Sequence, residues 1–248
     1  MRVAALVPAY QAAASLGEVL LRLGALEPAP DVLVVDDGSR DATGEVARQF
    51  GARVLSFAAN RGKGHALLAG FAALSDYDAV VSLDADGQHP PEYLPAFVRA
   101  AEAGADLVLG VRARSPDMPA ARRFANAFSS GWASWLAGRR VSDSQCGYRL
   151  HTRAVLHHVP LTPGRYEIET EMVVRASRLG FRLGRVEIPT VYGEAKSHLS
   201  AVRDVPRIVG SLARLTLERF VAPESMRAAA RALAESGREH STVPERTA

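Results

Sequence analysis

Asp84 and Asp86, one residue apart, close an apolar run at residues 79–83 and are followed by Gly87, Gln88, His89 and the pair Pro90-Pro91. The run is short and rich in Val and Leu, which predicts a buried strand rather than a helix. Unpaired buried carboxylates are very costly, so the charged end must leave the core. Two carboxylates two positions apart at a strand end can point the same way. Such hard oxygen ligands suit Mg²⁺ or Mn²⁺, which one or two carboxylates hold together with substrate phosphates. The plainer alternative is a solvated strand exit with a glycine turn.

Two further clusters carry similar chemistry. Asp36-Asp37-Gly38-Ser39-Arg40-Asp41 follows the apolar run 32–35. A carboxylate at that place can accept from a base N–H or from ribose hydroxyls, as acidic groups do in nucleotide-binding folds. Asp41 stands where a helix N-cap is expected. Asn60-Arg61-Gly62-Lys63-Gly64-His65 opens a predicted helix. Its glycines let backbone approach a phosphate, and a helix N-terminus favours anions. Lys63 and Lys196 are the only lysines beside 28 arginines, and both fall in candidate site loops. The segment lacks the spacing of a P-loop, and no G-x-G-x-x-G follows the first strand, which weighs against a dinucleotide enzyme.

The elements that position these residues are read from periodicity. Strands are expected at 3–7, 32–35, 53–57, 79–83, 106–110 and 183–188. Helices are expected at 12–26, through Val46, Ala47 and Phe50, at 63–74, 92–103 and 168–179, with a last one from Asp204 through Phe220. Alternating strands and helices predict an α/β fold with a mostly parallel sheet covered on both faces. Ligands in such sheets bind outside the carboxyl ends of the strands, where strand order reverses. Pro8 and Tyr10, Asp36 and Asp37, residues 60–64, and Asp84 with Asp86 all follow strands at that end. Between the fifth strand and residue 168 the pattern loosens. Phe124, Phe128, Trp132 and Trp135 form an aromatic stripe at helical spacing, read first as core packing and second as a surface for a lipid-like acceptor.

Composition bounds the rest. With 248 residues, 48% hydrophobic and 23% charged, the chain is expected to fold as a globular domain over 1–222, followed by a helical and disordered tail over 223–248. Between Arg112 and Arg153 there are eight Arg against Asp117 and Asp143, a local balance of +6 that favours an anionic partner. Cys146 is the single cysteine, which excludes an intrachain disulfide and a thiolate metal centre. The N-terminal apolar run is too brief for a signal-peptide core, and no stretch reaches the roughly 18 apolar residues of a spanning helix. A cytoplasmic protein, peripheral on the inner face of a membrane, is expected.

Taken together, Val7-Pro8-Ala9-Tyr10, Asp36-Asp37-Gly38-Ser39-x-Asp41, Asn60-x-Gly62-Lys63-Gly64 and Asp84-Ala85-Asp86-Gly87-Gln88-His89-Pro90 resemble, in order and spacing, the family-two glycosyltransferases of GT-A fold. Within them the similarity is to the polyprenyl- and dolichyl-phosphate mannosyl- and glucosyltransferases, over roughly residues 3 to 220. The resemblance implies a single nucleotide-binding βαβ domain with a mixed, mostly parallel sheet. It also implies an inverting, metal-dependent transfer from a GDP- or UDP-linked sugar to a polyprenyl phosphate or a saccharide, with no nucleic acid involved. Pro8, Tyr10, Asp36 and Asp37 would flank the nucleoside, with Asn60 and Lys63 near the diphosphate. Asp84 would face the ribose or sugar, and Asp86 and Gln88 would hold Mg²⁺ or Mn²⁺. Relatives often carry an acid after Pro-x-Tyr; Gln11-Ala12-Ala13 stands there instead and leaves the base open.

Gly110-x-Arg112 and Asp143-Ser144-Gln145-Cys146-Gly147-Tyr148-Arg149 resemble acceptor-side motifs, which would make Arg112 a donor-side contact, Asp143 the proposed base and Arg149 a phosphate-facing arginine. Glu169 and Glu171 compete with Asp143 for the role of base. Residues i and i+2 do not share a helix face, so at most one of the two glutamates can point into the site. A phosphate acceptor is already ionised and hardly needs a base at all. Lys196-Ser197-His198 resembles a loop that closes over the donor. Relatives that anchor themselves do so with later transmembrane helices, so peripheral contact or a separate membrane partner is expected here. Two other classes compete: a nucleotidyltransferase, and a non-catalytic nucleotide-binding member.

Overall fold

The computed structural model describes residues 1–112, 120–162 and 167–189, together with helical residues scattered between 210 and 233. The elements that build the sheet's first half are β1 (Val3–Ala9), α1 (Ala13–Gly24), β2 (Asp31–Asp36), α2 (Thr43–Gln49), β3 (Arg53–Ser56), α3 (Lys63–Ala73) and β4 (Ala79–Ser82). A 3₁₀ turn at Pro91–Tyr93 leads into α4 (Leu94–Glu102), β5 (Leu107–Arg112) and α5 (Ala120–Ala137). The second half closes with β6 (Arg149–Thr152), α6 (Arg153–His158), α7 (Glu167–Arg178) and β7 (Leu183–Ile188).

The seven strands run in the order β3-β2-β1-β4-β6-β5-β7, and β6 is antiparallel to both of its neighbours while the other pairings are parallel. Alternate residues of β1 face opposite cores: Ala4 and Leu6 meet α3, whereas Ala5 and Val7 meet α1 and α4. The helices match this with apolar stripes, as in α1, where Leu16, Val19, Leu20 and Leu23 are buried. The chain leaves β1 toward β2 and β3, then returns to place β4 on the other side, so strand order reverses between β1 and β4. That reversal opens a crevice at the carboxyl ends of the two strands. Because β6 runs the other way and pairs Arg149 with Ser82, the segment 143–148 that feeds it arrives at the same edge.

Several sequence expectations need correction. β6 and α6 are absent from the periodicity reading. Arg-Leu-His-Thr holds one apolar residue, and tertiary partners bury its Arg149 and His151. Asp41 is not the N-cap of α2, which is Ala42 with no side-chain cap; Asp41 sits one residue earlier and still accepts from the Thr43 backbone N–H at 3.1 Å. The double proline begins a 3₁₀ turn, and the α-helix proper starts at Leu94 rather than Glu92.

The aromatic stripe is not the core face of α5. Ala133, Leu136 and Ala137 are buried there, while Phe128 and Trp135 are 53% and 49% exposed and Trp132 is partly covered. The side chains of Arg122, Arg123 and Phe124, the segment 196–198 and the start of the last predicted helix lie outside the described residues. Of the later residues, Leu215 and Met226 are buried and Leu233 packs against the core.

Candidate active site

The loops at the crevice are laced together by backbone N–H groups donating to side chains. Asp37 accepts from the Arg61 and Gly62 N–H groups at 2.7 and 2.8 Å, and its own N–H donates to Ala9 at 2.9 Å. One carboxylate thus joins the ends of β1 and β2 to the 60–64 turn. Asp36 accepts from Ser39 N–H at 3.0 Å and closes the turn around Gly38. Gly38 has φ +72° and its missing Cβ would lie 2.4 Å from the Ala59 carbonyl carbon, so only glycine fits. Gln11, a non-glycine residue at φ 51°, accepts through Oε1 from Arg40 and Asp41 N–H groups at 3.3 and 3.2 Å. Ser15 donates to the Ala85 carbonyl at 2.7 Å and ties α1 to the 84–88 turn. Pro8 lies in β1 and Tyr10, just beyond it, is partly exposed, as is Asn60.

Asp84 and Asp86 occupy the turn after β4, in unlike environments. Lys63 Nζ lies 2.5 Å from Asp84 Oδ1 and 2.7 Å from Glu169 Oε1. Burial opposes ionisation of Asp84, but the Lys63 ammonium outweighs it and holds the carboxyl below the usual range. Burial likewise disfavours the charged ammonium of Lys63, and the two carboxylates overcome it and raise its pKa. Asp86 has no such ion pair among the described residues: burial, then the charge of Asp84, push its pKa up. Its Oδ1 accepts from the Gln88 N–H at 3.0 Å. An under-neutralised carboxylate beside a second one is the donor chemistry that a divalent cation relieves, with the remaining ligands coming from phosphate and water. Among the described residues no cluster of three or more His, Cys, Asp or Glu forms a complete metal cage.

His89 braces this turn from beneath. Its Nδ1 accepts from the Asp84 N–H at 3.2 Å, which places the ring proton on Nε2, 3.7 Å from Cys146 Sγ. Burial pushes the imidazole pKa down and the Cys146 thiol up to about 12, so the ring stays neutral and Cys146 offers no thiolate nucleophile. Ser82 donates to the Gly147 carbonyl at 3.0 Å, so His151 Nε2, 3.2 Å from the same hydroxyl, must be the donor of that contact.

The residues expected on the acceptor side are tied by arginines. Arg112 grips Asp143 through two bonds of 2.7 and 3.0 Å. Burial disfavours the Asp143 carboxylate, but Arg112 outweighs it and lowers its pKa, which makes it a weak proton acceptor. Asp84 feels Arg112, and Arg112 feels Glu169, so this pair and the Lys63 cluster share one crevice.

Arg149, 1% exposed, donates to the carbonyls of Ser144 (2.7 Å), Cys146 (2.7 Å) and Glu169. Bonds from a charged donor are worth about 1.5–3 kcal/mol each, enough to offset the several kcal/mol of burying the charge. The structure therefore places Arg149 as a staple of the 144–149 segment, with its guanidinium engaged by three carbonyls. Glu169 points to Lys63, while Glu171, fully buried, turns to Arg175 at 2.7 Å and Arg214 at 2.9 Å. Gly147, within the 143–149 motif, is a site residue that its sequence pattern does not single out. Its signal is a glycine between buried Cys146 and Tyr148, with the Lys63 ammonium directly above it.

Residues 4–161 match the family model described as glycosyl transferase family 2. The chain belongs to that family. It is 34% identical over 208 residues to the undecaprenyl-phosphate mannosyltransferase of Micrococcus luteus, covering 78% of this chain and 84% of the relative. It is 30% identical over 214 residues to the polyprenol monophosphomannose synthase of Mycolicibacterium smegmatis, covering 80% of each. The fold is that of glucosyl-3-phosphoglycerate synthase from Mycobacterium tuberculosis, solved with Mn²⁺, UDP and phosphoglyceric acid. The TM-score is 0.70 at 22% identity, over 90% of this chain and 80% of that one. This family-two glycosyltransferase thus has the GT-A fold, with a mixed sheet and the crevice at its carboxyl edge.

Proposed function

We propose that the chain transfers a hexosyl group from a nucleoside-diphosphate sugar to a polyprenyl phosphate at the cytoplasmic face of a membrane. The observation that carries this reading is Asp86, a carboxylate with no ion-pair partner among the described residues, at the reversal point of the sheet beside Asp84 and the 60–64 turn. Pro8, Tyr10, Asp36 and Asp37 flank the nucleoside, Asn60 and Lys63 lie near the diphosphate, and Asp84 faces the ribose or sugar. Asp86 and Gln88 would hold a divalent cation, which would supply neutralising charge to the departing diphosphate. An acceptor phosphate oxygen attacks the anomeric carbon from the face opposite the nucleotide. The new C–O bond forms as the bond to the diphosphate breaks, and the configuration inverts. No proton needs to be removed, which fits an Asp143 held by Arg112 and a Glu169 held by Lys63. Those two then orient groups rather than abstract a proton.

The membrane side of the reading rests on the relatives' acceptors and on one surface. Phe128 and Trp135 on α5 are exposed, and Trp132 Nε1 donates at 3.3 Å to Thr216, which joins α5 to the helix over residues 213–218, where Leu217 is 71% exposed. Arg139 and Arg140 follow α5 directly, which suits an anionic lipid surface. No helix among the described residues is long and apolar enough to cross a membrane.

The test is product analysis with GDP- and UDP-hexoses, polyprenyl phosphate and Mg²⁺ or Mn²⁺. Release of a nucleoside diphosphate and formation of a lipid-linked sugar, lost on chelation, is expected. Release of pyrophosphate would instead make it a nucleotidyltransferase. Nucleotide binding without turnover on any donor would make it a binding protein.

A further inference from the structure

Lys63 comes from the start of α3, Asp84 from the exit of β4 and Glu169 from α7, and the ammonium bridges the two carboxylates. It therefore links the half of the sheet that carries the nucleotide-side loops to the half that carries the acceptor-side loops. The site is built around it. A Cβ on Gly147 would stand 2.8 Å from Lys63 Nζ and 2.8 and 2.9 Å from the two Asp84 oxygens. Carbon cannot approach that closely, so a side chain at 147 would push apart the ammonium and the carboxylate. A compact ammonium suits this space where a planar guanidinium would not, in a chain that otherwise uses arginine almost throughout.

We propose that Lys63 is an internal counter-ion to Asp84, a positioning residue that keeps the cation turn half-neutralised until a nucleoside diphosphate arrives. The inference rests on the reading of the 84–88 turn as a cation site. In the free protein an incoming divalent cation meets a turn whose charge is partly cancelled, with an ammonium of its own sign close by. Diphosphate oxygens change both conditions. They compete with Asp84 and Glu169 for the ammonium, and they add ligands for the cation. Cation and nucleotide then bind cooperatively, and the coupling is reciprocal by linkage. Glu169 sets how strongly Lys63 is shared away from Asp84.

The test is Mn²⁺ titration of the full chain, followed by the electron paramagnetic resonance of free Mn²⁺, alone and with UDP or GDP. For the wild type, nucleotide should tighten Mn²⁺ by about tenfold or more. Lys63→Met should tighten Mn²⁺ alone by about tenfold, shrink the nucleotide effect to below roughly threefold, and weaken nucleotide binding measured without metal. Glu169→Gln should act the other way and weaken Mn²⁺ alone, because the ammonium is left to Asp84. Opposite shifts from two substitutions on one contact are not what general loosening produces. Should Lys63→Met lose its circular dichroism spectrum, Lys63→Gln replaces it, and Glu169→Gln decides if neither folds. Wild-type binding of Mn²⁺ with nucleotide, combined with no tightening in folded Lys63→Met, overturns the counter-ion while the cation site stands. Absence of Mn²⁺ binding with either nucleotide overturns the cation site and the counter-ion together.

Discussion

On the proposed nucleotide side of the crevice the carboxylates are held by backbone N–H groups, as Asp36 is by Ser39 and Asp37 by Arg61 and Gly62. On the proposed acceptor side Asp143 is held by Arg112, and behind it Glu171, turned away from the crevice, is held by Arg175 and Arg214. Backbone donors fix geometry but carry no full positive charge, which would leave the first side receptive to a cation, whereas each arginine of the second side meets its carboxylate with a full opposite charge. Lys63 is a cation that reaches across, and it meets Asp84 rather than Asp86.

Ways to break this contrast run from large effects to small. Asp86→Ala removes the under-neutralised carboxylate and should lower turnover by about 10³-fold or more, read as nucleoside diphosphate release, with the fold intact by circular dichroism. Activity within tenfold of the wild type would remove the reason for calling the nucleotide side receptive. Arg112→Ala strands a part-buried Asp143 and should cost about 3 kcal/mol in urea unfolding, with Arg112→Ala/Asp143→Ala recovering much of the loss. Asp37→Ala leaves two backbone donors unpartnered and should cost less, about 2 kcal/mol. If Asp37 proved the costlier of the two, arginine pairing would not be what distinguishes the halves.

The seam between the halves titrates. Burial, then Arg149, depress His151 to about 3 against roughly 6.5 in an unfolded chain. Below about 6.5 the unfolded state binds one more proton at this site than the folded state does. Stability therefore falls as pH drops through that window, by about 1.4 kcal/mol per pH unit, until the folded value is reached. His151→Gln should flatten the slope between pH 6.5 and 5 by that amount, measured as unfolding free energy against pH; an unchanged slope would place the titration elsewhere. The smallest effect is expected far from the seam. Phe128→Ser with Trp135→Ser should reduce co-sedimentation with anionic vesicles several-fold and leave transfer to a detergent-solubilised acceptor nearly unchanged. Equal sedimentation would exclude this face as the membrane contact.

The apolar runs, their lengths and the carboxylates that end them are local features, and they sufficed for the parallel strands, most helices and the gathering of residues 8–10, 36–37, 60–64 and 84–88 at one edge. Strand-end chemistry is legible because an unpaired charge cannot stay inside a sheet and must appear where the strand stops. The resemblance in spacing carried the family, with the GT-A sheet that belongs to it. What tertiary structure alone decided is where charges separated in sequence meet. β6 holds Arg149 and His151 inside the sheet, and no local pattern announces a strand whose polar groups are satisfied by residues from elsewhere in the chain. The i and i+2 rule says that Glu169 and Glu171 part company, but not which of them turns to the crevice; packing of α7 against residues 213–218 settles that through Arg214. The same holds for Lys63. Its loop is legible as a phosphate-facing turn, yet its contact with Asp84 and Glu169 depends on a glycine 84 residues later having no side chain.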